Sequence, residues 1–347
     1  MPISRRGFLA SCLTAGAFAL TGCGMGESLH RERWYLFGTL VDVALSESDK
    51  AKLEPALAAL SAKFQRINHQ WHAWKPGELL RVNQAIARGE SMAVDPELAT
   101  LLASTRELHR LSNGAFNPAI GGVIGLWGFH SDELPKGAPP RIQQIERLLA
   151  NQPSPQELRF DEGVISSSNP LVQLDLGGYG KGYAIDLGMA LLRDHGITNG
   201  VINAGGDLCV MGSKGGQPWR IAIRHPQGRG ALAWLETSHS ESVFTSGNYE
   251  RYREDGDKRY AHIINPRTGM PVDEIVSATV VHHNGALSDA AATALVVAGP
   301  EHWHETATTL GIRQAMVVDR HGKVQVTRAL ADRLYLEKAT LQRTTIV

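Results

Sequence analysis

Between residues 34 and 45 apolar and polar side chains alternate, with Gly38-Thr39 inside the run, which is the period of a half-buried strand. The period then changes. Leu53, Leu57, Leu60, Phe64 and Ile67 recur at three- and four-residue spacing and predict a core-facing helix over 49–68. A second helix is expected over 96–111, stopped by Asn113-Gly114. Residues 131–154 are rich in Pro, Gln and charge, with one amphipathic helix near 141–149, and read as a surface excursion rather than a domain boundary. Elsewhere β-like stretches (172–176, 200–203, 219–224) lie between glycine-rich ones (121–128, 177–182, 204–216). Residues 277–283 are a strand candidate and 288–297 an alanine-rich helix, with no repeat of fixed period anywhere. Short strands mixed irregularly with helices predict an α+β fold, not a doubly wound parallel sheet.

Composition changes this picture first at the N-terminus. Ser4-Arg5-Arg6-Gly7-Phe8-Leu9 reads as a twin-arginine export signal, and the apolar stretch 9–20 is too short to span a bilayer. It ends in Leu20-Thr21-Gly22-Cys23, a sequence like a bacterial lipobox. Residues 1–22 are therefore expected to be a signal peptide, 23–31 a lipidated tether and 32–347 the folded domain. Cys23 would anchor the protein in the lipid bilayer, on the periplasmic side of the inner membrane. Of three cysteines only Cys209 then remains in the folded part, so no internal disulfide can form and a core must supply stability. Lys plus Arg equals Asp plus Glu at 35 each, which leaves no basic field for nucleic acid.

Candidate chemistry is concentrated late in the chain. Thr245-Ser246-Gly247-Asn248-Tyr249, followed by the run from Arg259 to Gly269, gathers two hydroxyls, the imidazole of His262, the cation of Arg267 and two tight turns. Such a loop can act on a phosphate; a plain surface hairpin accounts for the same composition. Asp175-Leu176-Gly177-Gly178-Tyr179-Gly180-Lys181-Gly182 places glycines beside a lysine, as phosphate cradles do, but matches neither a Walker loop nor G-x-G-x-x-G. A strand-to-helix turn with a solvated lysine is the bland reading. Asp289 and Thr293 lie four apart on one helix face and offer hard oxygens to Mg²⁺, although Ser288 or Asp289 as an N-cap explains them more simply. Trp71, Trp74 and Trp127 can stack on a flat ring or merely fill the core. His69, His72 and His282-His283 lack the remainder of a zinc set and read as structural or surface residues.

Taken together, these stretches resemble the ApbE family of FAD:protein FMN transferases over about residues 36–299. The motifs occur in the family's order: Phe37-Gly38-Thr39; Trp74-Lys75-Pro76 with Glu78-Leu79 and Asn83; Gly114-Ala115-Phe116-Asn117-Pro118; Leu126-Trp127-Gly128-Phe129; Asp175 to Gly178 with Lys181-Gly182-Tyr183; Asn203 to Asp207; Thr245-Ser246-Gly247; His262 to Gly269; and Asp289 with Thr293. The resemblance implies largely antiparallel sheets with packed helices. It also implies an enzyme that binds FAD and Mg²⁺ and moves FMN onto a threonine or serine of acceptor redox-protein subunits, releasing AMP. By matching position, Asp289, Thr293 and the Gly178 carbonyl become Mg²⁺ ligands, His262 accepts or orients the proton of the attacking hydroxyl, and Lys181 lies near the phosphates. FAD contacts fall on Phe37, Trp74, Ala115, Phe116, Asn117, Asp175, Lys181, Thr245, Ser246, Ile264 and Arg267. Family members often have Asp where this chain has Asn117 and Asn265, tyrosine at Trp74, and in some cases a carboxylate at Ala292. An FAD pyrophosphatase would use the same site with water as acceptor. An FAD-storing lipoprotein would need neither His262 nor the Asp289/Thr293 pair.

Overall fold

The computed structural model describes residues 29–237, 239–336, 340 and 344–347; the expected export signal and lipobox, with Cys23, lie outside them. The chain opens with a hairpin of β1 (His30–Leu36) and β2 (Thr39–Leu45), whose two-residue connection has positive φ at both Phe37 (+55°) and Gly38 (+73°). Glycine suits that turn; at Phe37 the strain is offset by a hydrogen bond from its N–H to Asn68 Oδ1 at 2.8 Å. Helix α1 (Lys50–Gln70) follows, capped by Asp49, and buries the five residues expected from the helical spacing together with Ala56.

Next come α2 (Glu78–Ala87), β3 (Met92–Ala93), α3 (Pro96–Leu111), α4 (Gly121–Leu126), α5 (Ile142–Leu149), β4 (Leu158–Asp161), β5 (Val164–Ser167) and α6 (Gly180–Asp194). The segment 172–176, expected as a strand, is extended but joins no ladder. Its backbone is held by Ala119, Pro118 and the buried amide of Asn83, which accepts from Leu174 N at 2.7 Å and donates to its carbonyl at 2.9 Å. The remaining elements are β6 (Gly200–Ala204), β7 (Asp207–Met211), β8 (Arg220–Arg224), β9 (Ala231–Glu236), β10 (Glu241–Gly247), β11 (Tyr252–Asp255), β12 (Lys258–Ala261), β13 (Ile275–His282), α7 (Gly285–Thr309), β14 (Gln314–Asp319), β15 (Val324–Val326), α8 (Arg328–Ala331), β16 (Tyr335–Leu336) and β17 (Thr344–Ile346).

Among the described residues one nine-stranded sheet, in the order β1-β2-β6-β7-β10-β13-β14-β15-β17, organises the α+β fold, and its only parallel pair there is β15–β17. Helices α1, α6 and α7 cover one face through Leu60, Phe64, Ile185, Met189 and Leu295. The three-stranded sheet β16-β9-β8 covers the other through Ile221, Ile223 and Leu235. Strands covered on both faces read as apolar runs, as β7 does after Asp207, with all five residues buried. Among the described residues no helix is long and apolar enough to cross a membrane.

Candidate functional site

The glycines of 177–182 lead into α6 and let its first turn press against α7. A Cβ on Gly182 would fall 2.3 Å from the Gly285 carbonyl, and one on Gly178 would fall 2.9 Å from Thr293 Oγ1. Helix α7 begins three residues before the sequence expectation. Asn284 caps it by accepting from Leu287 N at 2.7 Å, and Asp186 accepts from Gly285 N at 3.0 Å and Ala286 N at 2.9 Å. Neither Ser288 nor Asp289 is therefore the N-cap, and the simpler account of Asp289 falls. Its Oδ2 instead accepts from Gly182 N, across the helix junction, at 2.9 Å. Thr293 lies one turn further along α7, with Oγ1 3.1 Å from Ser246 Oγ at the end of β10.

Asp289 is buried, and burial pushes its carboxyl up to about 7, against the pull of Lys181 and with a further push from Asp207. A carboxylate held this far from water lacks a full complement of positive charge. No group of three His, Cys, Asp or Glu suited to a metal occurs among the described residues. One turn along the same helix, the Thr293 hydroxyl meets Ser246 Oγ and lies against the backbone of Gly178, and a carboxylate and a hydroxyl are hard oxygen donors of the kind a hard cation takes.

Lys181, also in the first turn of α6, is ion-paired with the buried Asp207 at the start of β7. Burial alone would pull its ammonium down, but Asp207, Asp289 and Glu250 outweigh that and raise it, so the cation is permanent. Asp207 Oδ1 also accepts from Thr245 N at 3.0 Å, and Thr245 Oγ1 lies 2.9 Å from Thr279 Oγ1, so Thr245 belongs to a buried strand rather than a loop.

His262 follows β12, on the two-stranded ribbon β11–β12 rather than the large sheet. Its backbone N–H donates to the Arg251 carbonyl at 3.1 Å, and its Nδ1 is 3.1 Å from the same oxygen. A carbonyl only accepts, so Nδ1 carries the proton and Nε2 keeps its lone pair. Burial lowers the imidazole to about 4 against the opposing Arg251 hydrogen bond, with the positive charges of Arg251 and Lys181 lowering it further. The ring is thus a neutral base at physiological pH. Arg251 and Arg253 tie the ribbon to the loop 127–138, Arg253 donating to the carbonyls of Trp127, Lys136, Gly137 and Ala138.

The other expected contacts divide into two kinds. Trp74 and Asp175 meet through His130, which stacks on Trp74 and bonds Asp175. Burial would raise the Asp175 carboxyl, but His130, the Gly177 N–H and the charge of Arg251 together hold it below the usual carboxylate range. Phe37 and Ala115 pack on the same apolar cluster as Trp74, and Phe116 lies buried 5.9 Å from the Tyr179 ring. Ile264 and Arg267 are built otherwise. The Ile264 side chain is core, beside Trp127 and Ile145, while Arg267 is exposed and donates to the Asn113 carbonyl at 2.7 Å. Asn117 has a structural reason to be an amide: Nδ2 donates to the Pro153 carbonyl at 2.9 Å, which a carboxylate cannot do, and Oδ1 accepts from Ala119 N. Sequence reasoning gave no role to Asp207, His130 or Arg251. Asp207 closes a quoted motif and His130 directly follows another, whereas nothing in the sequence marks Arg251.

The ApbE family model matches residues 37–317. The chain is 45% identical over 303 residues to the FAD:protein FMN transferase of Rhodobacter capsulatus, covering 87% of this chain and 58% of that protein, so it spans little more than half of that relative's length. It is 30% identical to the FAD:protein FMN transferase of Vibrio cholerae, over 74% of this chain and 77% of the relative. Among solved structures, the ApbE protein of Thermotoga maritima superposes with a TM-score of 0.81 at 26% identity, covering 88% of this chain and 99% of that one. The apo flavinyl transferase ApbE of Pseudomonas stutzeri gives 0.77 at 26% identity, covering 89% and 97% respectively.

Proposed function

The chain belongs to the ApbE family, and from that premise we propose that it transfers the FMN half of FAD onto a threonine or serine hydroxyl of an acceptor flavoprotein, with Mg²⁺, releasing AMP. The observation that carries this reading is the pairing of a neutral, tautomer-fixed His262 with the permanent cation of Lys181, whose charge reaches the imidazole. Phosphoryl-type transfer needs both a proton acceptor and charge neutralisation, and little else from the protein.

In this reading Nε2 of His262 takes the proton of the acceptor hydroxyl as its oxygen forms a bond to the FMN-side phosphorus. The pyrophosphate P–O bond breaks, and its electron pair leaves with AMP. Lys181 offsets charge on the phosphate oxygens, and Asp207 keeps the ammonium aimed there. Asp289, Thr293 and the Gly178 carbonyl would hold Mg²⁺, which supplies Lewis-acid neutralisation of the pyrophosphate when bound. The lipid anchor at Cys23 and a periplasmic site of action belong to the same proposal, supported by the sequence motifs of residues 4–23.

Intact-mass measurement of an acceptor carrying the target threonine, incubated with the protein, FAD and Mg²⁺, tests the reading. A gain of one FMN residue, abolished by EDTA, is the expected result. Free FMN and AMP with an unmodified acceptor would replace it with the pyrophosphatase.

A further inference from the structure

His130 stands where two expected FAD contacts meet. Its ring lies nearly parallel to the Trp74 indole, at 14° and 4.7 Å between centroids, and His72 meets Trp74 edge-on at 4.2 Å. On its other side Nε2 is 2.8 Å from Asp175 Oδ2, while Asp175 Oδ1 accepts from Gly177 N at 2.7 Å. An ionised carboxylate only accepts, so Nε2 donates that bond. The two side chains are 12% and 8% exposed, an interior pair rather than a solvated one.

The surroundings are shaped to keep the ring there. Arg251 donates to the carbonyl of Phe129 at 3.2 Å and of Ser131 at 2.6 Å, the residues on either side of His130. Gly125 leaves the ring its room, since a Cβ there would fall 2.9 Å from His130 Nδ1. A histidine that served only solubility would need neither the clamp nor the vacated space.

We propose that His130 is a positioning residue for a flat heteroaromatic ring of the substrate. It supports Trp74 as a stacking platform and fixes Asp175 as an acceptor for an N–H of the ring or of its amino substituent. Each carboxylate oxygen of Asp175 has one internal hydrogen bond and a second lone pair to offer. Both the isoalloxazine and the adenine of FAD stack and carry an N–H donor, so both have the required chemistry. The proposal rests on the reading that FAD is the substrate.

Binding of FAD, FMN and ADP to the full-length protein, compared with His130→Ala, His130→Gln and His130→Phe, tests it. His130→Ala should weaken FAD binding about tenfold, through a lost charge-assisted hydrogen bond and a lost stack. The Gln variant keeps the donor and the Phe variant keeps the stack, so each should lose only part. FMN or ADP alone should show the same loss, which identifies the ring, while kcat at saturating FAD stays within about twofold. Wild-type affinity in all three variants would overturn the proposal. So would an equal loss for FMN and ADP accompanied by a lower unfolding midpoint, the mark of a purely structural role. A wild-type protein that binds none of the three ligands would overturn the FAD reading itself, a failure visible before any variant is compared.

Discussion

The α6–α7 junction and the β11–β12 ribbon carry the two halves of the proposed site but are held in different ways. At the junction, Gly182 and Gly285 bring two helices into backbone contact over the nine-stranded sheet, and Asp289, Thr293 and Lys181 are fixed by polar bonds between packed elements. The ribbon has two short strands, and its position depends on arginine side chains donating to loop carbonyls. The proposed charged groups thus lie between packed helices, and the proposed base lies on a ribbon tied by side-chain hydrogen bonds. Binding and proton acceptance should therefore be separable by mutation.

Asp289→Asn should have the largest effect at the junction. The amide oxygen can still accept from Gly182 N, so the fold persists, but the charge is gone. The Mg²⁺ concentration for half-maximal transfer should rise by more than about a hundredfold, since even supporting shells of metal sites are worth 10–100-fold. An unchanged Mg²⁺ dependence would remove Asp289 from the metal site. Gly182→Ala should lower stability by roughly 1–3 kcal/mol, because a methyl cannot coexist with the Gly285 carbonyl without displacing a helix. Chemical denaturation measures this, and a neutral result would show that the junction yields as readily as the ribbon. Arg253→Gln should loosen the ribbon, lowering kcat about tenfold, while FAD affinity, reached only through the loop that carries His130, should fall by less than kcat does.

The smallest effect is in titration. A histidine lowered to about 4 binds fewer protons in the folded protein than in the unfolded chain, whose value is about 6.5. Its contribution to stability is complete above about 6.5 and is lost as pH falls through about 4. NMR titration of the imidazole in the metal-free protein should show no protonation near 6.5; a midpoint there would mean that the ribbon leaves His262 solvated.

Much of the junction was legible in the chain. The four-residue spacing of Asp289 and Thr293 put both on one face of a helix, as found, and the α1 pattern was unambiguous. The cap reading of Asp289 failed because Asn284 starts the helix more than one turn earlier, and because Asp186, which takes the next two N–H groups, comes from α6 about a hundred residues away, where no local window reaches. Strand β7 was hidden because only five residues separate the positive-φ Gly205 and Gly206 from Gly212, and their glycines dominate the composition. Residues 172–176 looked like a strand because they are extended and buried, yet Asn83 takes the place of a neighbouring strand. The ribbon was the least legible part. His262 stood out by its turn, but Arg251 and Arg253 act through main-chain carbonyls more than a hundred residues away in sequence, which leave no signature in residue type.

The separation of binding from proton acceptance is tested most directly by His262→Ala, with FAD affinity and FMN transfer to the acceptor measured on the same preparation. Affinity within about twofold of wild type, with transfer reduced by at least ~100-fold, is the expected result. Transfer at the wild-type rate, or loss of FAD binding together with transfer, would contradict it.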